Sequence, residues 1–224
     1  MALSTQPYRG ARDFYPEDKR VQNYMFRTIE KVCKRFGYEE AHAHQVARLA
    51  ERIFDSVSSN YNLTRHQRLL LSAAALLHDV GYHIAHEAHH KHSYYLIEHS
   101  ELTGFSEAER AVIANIARYH KGSGPKDRHP NFASLDQIDR DTVSKLAGIL
   151  RLADALDRRH DGRVIDLSFR RMRDLLTVQV VSALECEDEL AEAERRLDLF
   201  QTAFECSVRL NWQPASQTQR MRAK

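Results

Sequence analysis

The chain has 224 residues, 33 basic and 31 acidic side chains, a formal charge of +2 and 42% hydrophobic residues. That length supports a substantial core. No run approaches the roughly 18 apolar residues that a membrane span requires, and the balanced charge argues neither for nor against nucleic acid. Cys33, Cys186 and Cys206 are odd in number and form no CxxC pair. They read as reduced thiols, not as a disulfide framework or a zinc knuckle. The opening MALSTQPYRG lacks the apolar centre of a secretory signal, so the expected location is cytoplasmic. The unusual figure is thirteen histidines, seven of them between His78 and His99.

In chain order, residues 1–40 read as an arm and a helix. Pro16 suits a first helical position, with Glu17 and Asp18 in the first turn. Val21, Met25, Ile29, Val32 and Phe36 share one apolar face, and Gly37 stops the helix. Residues 41–160 read as a helical domain. A helix from Glu40 to about Ser58 carries His42, Val46, Leu49, Ile53 and Val57 on one face, whereas His44 falls about 200° away. An apolar helix, Leu69–Gly81, follows and ends on the adjacent pair His78-Asp79. A further helix is expected to line one side with His92, Tyr95, Leu96 and His99, and Gly104 to end it. Ser106 and Glu109 form a capping box for the next, whose face of Ile113, Ile116 and Ala117 leads to His120. Lys121–Asp141 reads as a long polar loop, a flap near a site. Thr142–Arg158 is the last long helix, with Val143, Leu146, Ala147, Leu150, Asp154 and Asp157 on one side.

Beyond Asp161 the periodicity changes. Val164–Phe169 and Leu176–Val180 read as partner strands. Leu190, Ala193, Leu197, Phe200 and Phe204 mark one amphipathic helix, and Cys206, Val208 and Leu210 a last short strand. Residues 161–212 are therefore a small α+β subdomain, and 213–224 a polar tail expected to be disordered. The fold class is mostly α, a helical bundle with a small C-terminal α+β subdomain.

Five helices each place a polar group on an otherwise apolar face: His42, His78-Asp79, His92, His120 and Asp154. Buried imidazoles and carboxylates need partners. Five such instances near successive helix ends suggest one shared centre in the bundle. Four imidazoles and two carboxylates suit two divalent first-row metals, Mn or Fe more than Mg, with Asp79 able to bridge.

The pieces EEAHAHQVARLAERIFD, AALLHDVGYHI, HHKHSYYLIEHSELTGF, ARYHKG and KLAGILRLADALDRRHDGRV, with a fainter match to residue 212, resemble the HD phosphohydrolase superfamily. The closest resemblance is to the helical C-terminal region of the exopolyphosphatase/guanosine-pentaphosphatase family. The resemblance implies an HD-type bundle, with His42, His78, Asp79 and Asp154 as core metal ligands and His92 and His120 at positions used for a second metal. The actin-like domain that carries polyphosphate hydrolysis in exopolyphosphatases has no counterpart in the sequence. Tyr82 stands where HD-GYP phosphodiesterases have lysine, so cyclic dinucleotide cleavage is not specifically implied. Pro7–Glu40 resembles the opening of histidyl-tRNA synthetase. Later class II signatures are missing, so that resemblance implies a packing helix, with a homodimer left open, and not aminoacylation.

These readings converge on a metal-dependent phosphohydrolase acting on a nucleotide, phosphoanhydride or phosphodiester. The expected partner is a small phosphorylated substrate, a nucleotide or polyphosphate, and not nucleic acid or a membrane. Asp79 is the central catalytic group, with Arg158, Arg159 and Lys121 as candidate phosphate contacts. Lys126, Arg128, Arg151 and Arg163 are further cations nearby. His83, His86, His89 and His90 read as neighbours of the centre, with His89 the first to be promoted, and Asp157 as a supporting residue. The alternative is a non-catalytic module that binds polyphosphate or an alarmone. A mixed-valent di-iron oxygenase ranks last, because the histidine expected three residues after the Asp is Tyr82.

Overall fold

The structure, a computed structural model, describes residues 18–217 and Gln219. Among them are nine α-helices and one three-stranded sheet. The helices α1 (Lys19–Phe36), α2 (Glu40–Val57), α3 (Arg65–Leu77), α4 (His89–Glu98), α5 (Glu107–Arg118), α6 (Pro130–Ala133) and α7 (Gln137–Ala155) form the bundle. Strands β1 (Val164–Met172) and β2 (Leu175–Ser182), helices α8 (Glu187–Arg195) and α9 (Asp198–Ala203), and strand β3 (Ser207–Pro214) complete the chain. The class is mostly α with a small C-terminal α+β part, as the periodicity predicts.

Helix α3 is apolar all round, with every residue from Leu69 to Leu77 buried. A helix of that kind has to be surrounded, and α1, α2, α5 and α7 pack against it. A capping box between Thr64 and Gln67 starts it, and the Ser106–Glu109 box starts α5. Gly37, at φ 72°, closes α1. Asp18 is the N-cap of α1 and accepts from the Arg20 N–H at 2.8 Å, so it lies outside the first turn where the sequence placed it. Pro16, Glu17 and most of the synthetase-like opening lie outside the described residues.

The sheet has the order β1-β2-β3, with β1 and β2 antiparallel and β3 parallel to β2. The β2–β3 crossover runs through α8 and α9. The other edge of the sheet rests on α2: Gln45 and Arg48 donate to the Val164 carbonyl, Arg48 also to that of Ile165, and Arg52 to that of Leu167. Those donors satisfy carbonyls that an edge strand would leave open.

Several expected boundaries move. Helix α3 ends at Leu77, and a 3₁₀ turn over Val80–His83 follows Asp79. Gly81 does not stop the helix. It lets α4 approach, because a Cβ there would lie 2.0 Å from the His89 carbonyl oxygen. Helix α4 ends at Glu98, and Gly104 lies beyond it at φ 100°, where a Cβ would meet the Met25 side chain at 2.7 Å. The expected flap is largely exposed over residues 121–128 but packed from Pro130 onward. Phe132 and Leu135 are buried, Asn131 pairs with the buried Asn115, and α7 starts five residues earlier than expected, at Gln137. The single amphipathic helix expected around residues 190–204 is broken into α8 and α9 at Arg196-Leu197. The tail is ordered through Ala215, which is buried and donates to the Ser182 carbonyl at 2.8 Å. Cys33, Cys186 and Cys206 are free and buried. Among the described residues no helix is long and apolar enough to cross a membrane.

Candidate metal centre

Where α2, α3, α4, α5 and α7 meet, side chains from each converge. His42 comes from the first turn of α2. His78 caps the C-terminus of α3, and Asp79 follows it. His89 opens α4, His120 lies two residues beyond α5, and Asp154 sits in the last turn of α7. Helix ends place these groups together, and the apolar flanks of the same helices bury them.

Asp79 is central. Its Oδ2 faces the Nε2 atoms of His78 at 3.3 Å and His42 at 3.7 Å. Its Oδ1 faces those of His89 at 3.4 Å and His120 at 3.5 Å. Asp154 Oδ1 lies 3.4 Å from His42 Nε2 and 3.6 Å from His78 Nε2. Its Oδ2 accepts from Arg196 Nη1 at 2.5 Å. The two oxygens of Asp79 thus look toward two different pairs of imidazoles.

Every imidazole is fixed from behind. His42 Nδ1 lies 2.8 Å from the buried carboxylate of Asp157. His78 Nδ1 donates to the Ala75 carbonyl at 2.7 Å, His120 Nδ1 to that of Ala117 at 2.6 Å, and His89 Nδ1 to that of His86 at 3.1 Å. With the proton held on Nδ1, each ring turns an Nε2 lone pair inward. His42 Nε2, His78 Nε2 and Asp79 Oδ1 are buried without a hydrogen-bond partner. Unpaired buried polar atoms are costly. Donors that share one ion at about 2.1 Å stand roughly 3–3.4 Å apart, close to the separations here.

The electrostatics carry the same demand. Burial pulls the His42 and His78 pKa values down, but the Asp154, Asp157 and Asp79 carboxylates reverse this and raise both, His78 strongly. Burial would raise the Asp79 and Asp154 carboxyls, yet the surrounding imidazoles hold both below the usual carboxylate range. His120, buried and next to His78, is pushed down to about 3. Two buried carboxylates require positive charge in this hollow, as protons or as a cation.

The centre opens into a cavity of about 180 Å³ whose walls add Tyr82, Lys121, Arg158, His160, Glu192 and Arg196. Tyr82 stacks on His89 with centroids 4.0 Å apart, and burial with the Asp79 charge pushes its phenol up to about 12. His160 stacks on His42 at 3.5 Å, and its Nδ1 lies 2.7 Å from Glu39. Arg196 is clamped between Asp154 and Glu192.

Of the residues picked from sequence, the structure brings together His42, His78, Asp79, His120 and Asp154. His92 does not join them. The buried face of α4 is His89, Ser93 and Ile97, and His92 is only half-buried. The physical reason is the Gly81 contact: the Gly81 N–H donates to Ser93 Oγ at 2.9 Å and turns the 89/93/97 face inward. His89 therefore stands where His92 was expected. Lys121 and Arg158 line the cavity. Arg159 does not; it pairs with Asp188. Arg151 is buried against the carbonyls of Tyr119 and Gly122, and Arg163 pairs with Asp161. Sequence reasoning gave no role to His160, Glu192 or Arg196. The only trace of Arg196 was the helix break, which periodicity smoothed over.

A mostly helical bundle with histidine and aspartate side chains converging at its helix ends is the class that fold and site define. The chain belongs to the family described as Ppx/GppA phosphatase, domain III, which matches residues 26–196. A relative in Pseudoalteromonas translucida (strain TAC 125), guanosine-5'-triphosphate,3'-diphosphate pyrophosphatase, is 29% identical over 155 residues. The match covers 68% of this chain but 30% of that protein, so the chain spans less than a third of its relative's length.

Proposed function

We propose that the chain is a metal-dependent phosphohydrolase of the HD type, cleaving a phosphoanhydride or phosphoester in a nucleotide or polyphosphate. The observation that supports it most is the inward convergence of four Nε2 atoms and two carboxylates, each imidazole fixed through Nδ1. One ion would be held by His42, His78, Asp79 Oδ2 and Asp154 Oδ1, and a second by Asp79 Oδ1, His89 and His120. This mixed nitrogen and oxygen set suits Mn or Fe better than Mg. Such ions lower the pKa of water and neutralise charge at the phosphoryl oxygens.

The chain's own groups account for the rest. Lys121 and Arg158 form no ion pair among the described residues, which leaves both free for phosphoryl oxygens. Tyr82 keeps its proton at neutral pH and is a hydrogen-bond donor on the wall. Arg196 occupies the outer oxygen of Asp154, so that carboxylate offers one oxygen to the hollow. Asp157 fixes the tautomer of His42.

The name of the relative, a guanosine pentaphosphate pyrophosphatase, agrees with a nucleotide substrate. Because only 30% of that protein is matched, a second reading stands: an accessory module that binds anions without turnover. Protein purified without chelator, assayed for metal and against p-nitrophenyl phosphate, bis(p-nitrophenyl) phosphate and nucleoside triphosphates, tests both. Bound transition metal and turnover, both lost in Asp79→Ala with unchanged circular dichroism, are expected. Turnover that survives Asp79→Ala rejects the hydrolase, and anion binding without turnover in the metal-loaded wild type selects the accessory module.

A further inference from the structure

Arg196 stands on the wall of the hollow, yet all three of its guanidinium nitrogens are engaged within the protein. Nη1 donates to Asp154 Oδ2 at 2.5 Å, and Nε and Nη2 each reach Glu192 Oε1 at 2.6 Å. Arg196 and Asp154 are each 13% exposed, so water is largely kept from the pairing. Taking such charges out of water is costly, and a buried ion pair seldom adds stability over apolar residues of similar volume. Its use lies in what it does to Asp154.

The two oxygens of Asp154 meet different surroundings. Oδ1 looks into the hollow, 3.4 Å from His42 Nε2 and 3.6 Å from His78 Nε2, whereas Oδ2 is covered by Arg196. The carboxylate of Glu192 backs the guanidinium on its far side and offsets its charge, and Arg195 holds the second oxygen of Glu192 at 2.6 Å. The clamp therefore withdraws one oxygen from the hollow while adding little net charge beside it. Its effect falls on the number of donor atoms.

That number separates divalent ions. Calcium takes about six to eight oxygen ligands and is commonly held by both oxygens of a carboxylate. First-row ions accept imidazole nitrogens and are sorted by ligand type and geometry. We propose that Arg196 is a metal-selectivity residue: by covering Asp154 Oδ2 it holds that carboxylate to one donor oxygen and disfavours calcium relative to manganese. The inference rests on the metal-centre reading under Proposed function, but it is read by binding alone.

The experiment measures manganese and calcium affinities of the full chain by competition with a metal-sensitive dye, in wild type, Arg196→Met, Arg196→Lys and Glu192→Gln. Wild type is expected to prefer manganese, with the preference falling about tenfold in Arg196→Met, chiefly through tighter calcium. A smaller fall is expected in Arg196→Lys, whose single nitrogen replaces a fork that spans both carboxylates. In Glu192→Gln the amide oxygen can still accept from Arg196, so both affinities should drop together and the ratio stay. A cooperative thermal melt shows that each variant is folded. A ratio unchanged in both Arg196 variants overturns the proposal, as does an unchanged ratio in Arg196→Lys alone where Arg196→Met does not melt cooperatively. So does a shift in Glu192→Gln as large as that in Arg196→Met, because charge and not coverage would then set the preference. Manganese binding with an unaltered ratio sinks only this proposal, whereas a wild type that binds neither ion sinks the metal centre and the proposal with it.

Discussion

Substituting Gly81 by alanine tests the contact that orients α4. The added Cβ would lie 2.0 Å from the His89 carbonyl oxygen, 2.4 Å from the Ser93 nitrogen and 2.7 Å from Ser93 Oγ. Real Cβ contacts do not fall below 3.0 Å, so the start of α4 or the 3₁₀ turn must retreat by about an ångström. Overpacking of this kind costs about 1–3 kcal/mol. For a chain of this size each kcal/mol lowers Tm by about 2–4 °C, so a loss of roughly 2–12 °C is expected. The same shift carries His89 away from Asp79, which it faces at 3.4 Å, and an ångström can cost about a hundredfold in a positioned site. Thermal melts with metal analysis read both effects. A Tm within a degree of wild type together with unchanged metal content would refute the Gly81 contact and, with it, the placement of His89.

Asp157→Asn removes the carboxylate behind His42; metal affinity is expected to fall about 10–100-fold, measured by competition with a chelating dye. Ala88 precedes α4 at φ 54°, so Ala88→Gly relieves left-handed strain and should raise stability by about 0.5–1 kcal/mol in denaturant melts. Glu109 loses solvent on burial, which raises its pKa, but His66 at 2.9 Å and Ser106 hold it below the ordinary glutamate value. Its contribution, about 1 kcal/mol, is therefore present above the unfolded pKa and lost as pH falls through the lower folded one. The Tm gap between wild type and Glu109→Gln should be full at pH 7 and close as pH falls below the ordinary glutamate range; a gap that widens in acid would refute the pairing.

Most of the bundle was legible because long helices repeat their apolar residues over many turns. Met25, Ile29 and Val32 of α1 and Val46, Leu49, Ile53 and Val57 of α2 are buried residues that this spacing picks out, whereas Val21, on the same predicted face at the start of α1, is exposed. Both capping boxes involve residues within one turn of each other, and the one at Ser106 could be read directly. His89 was harder to read, because 89/93/97 and 92/96/99 are both helical spacings. Only a contact with Gly81, eight residues before His89, decides between them. The break at Arg196 was hidden for a related reason. Leu190, Ala193, Leu197, Phe200 and Phe204 keep helical spacing across it, and the partner of Arg196 at the break is Asp154, 42 residues away. Charge-bearing residues were the least legible. Arg158 and Arg159 are neighbours in sequence, yet one faces the hollow and the other turns to Asp188.

The clamp from Arg196 to Asp154 ties the end of the chain to its middle. Cutting the polypeptide before α8 would leave an acidic side chain at the bundle's heart without its guanidinium, besides removing β3 from the sheet. The two parts should therefore melt together in one cooperative transition. An isolated fragment ending near residue 160 would be a destabilised fragment and not a self-sufficient domain.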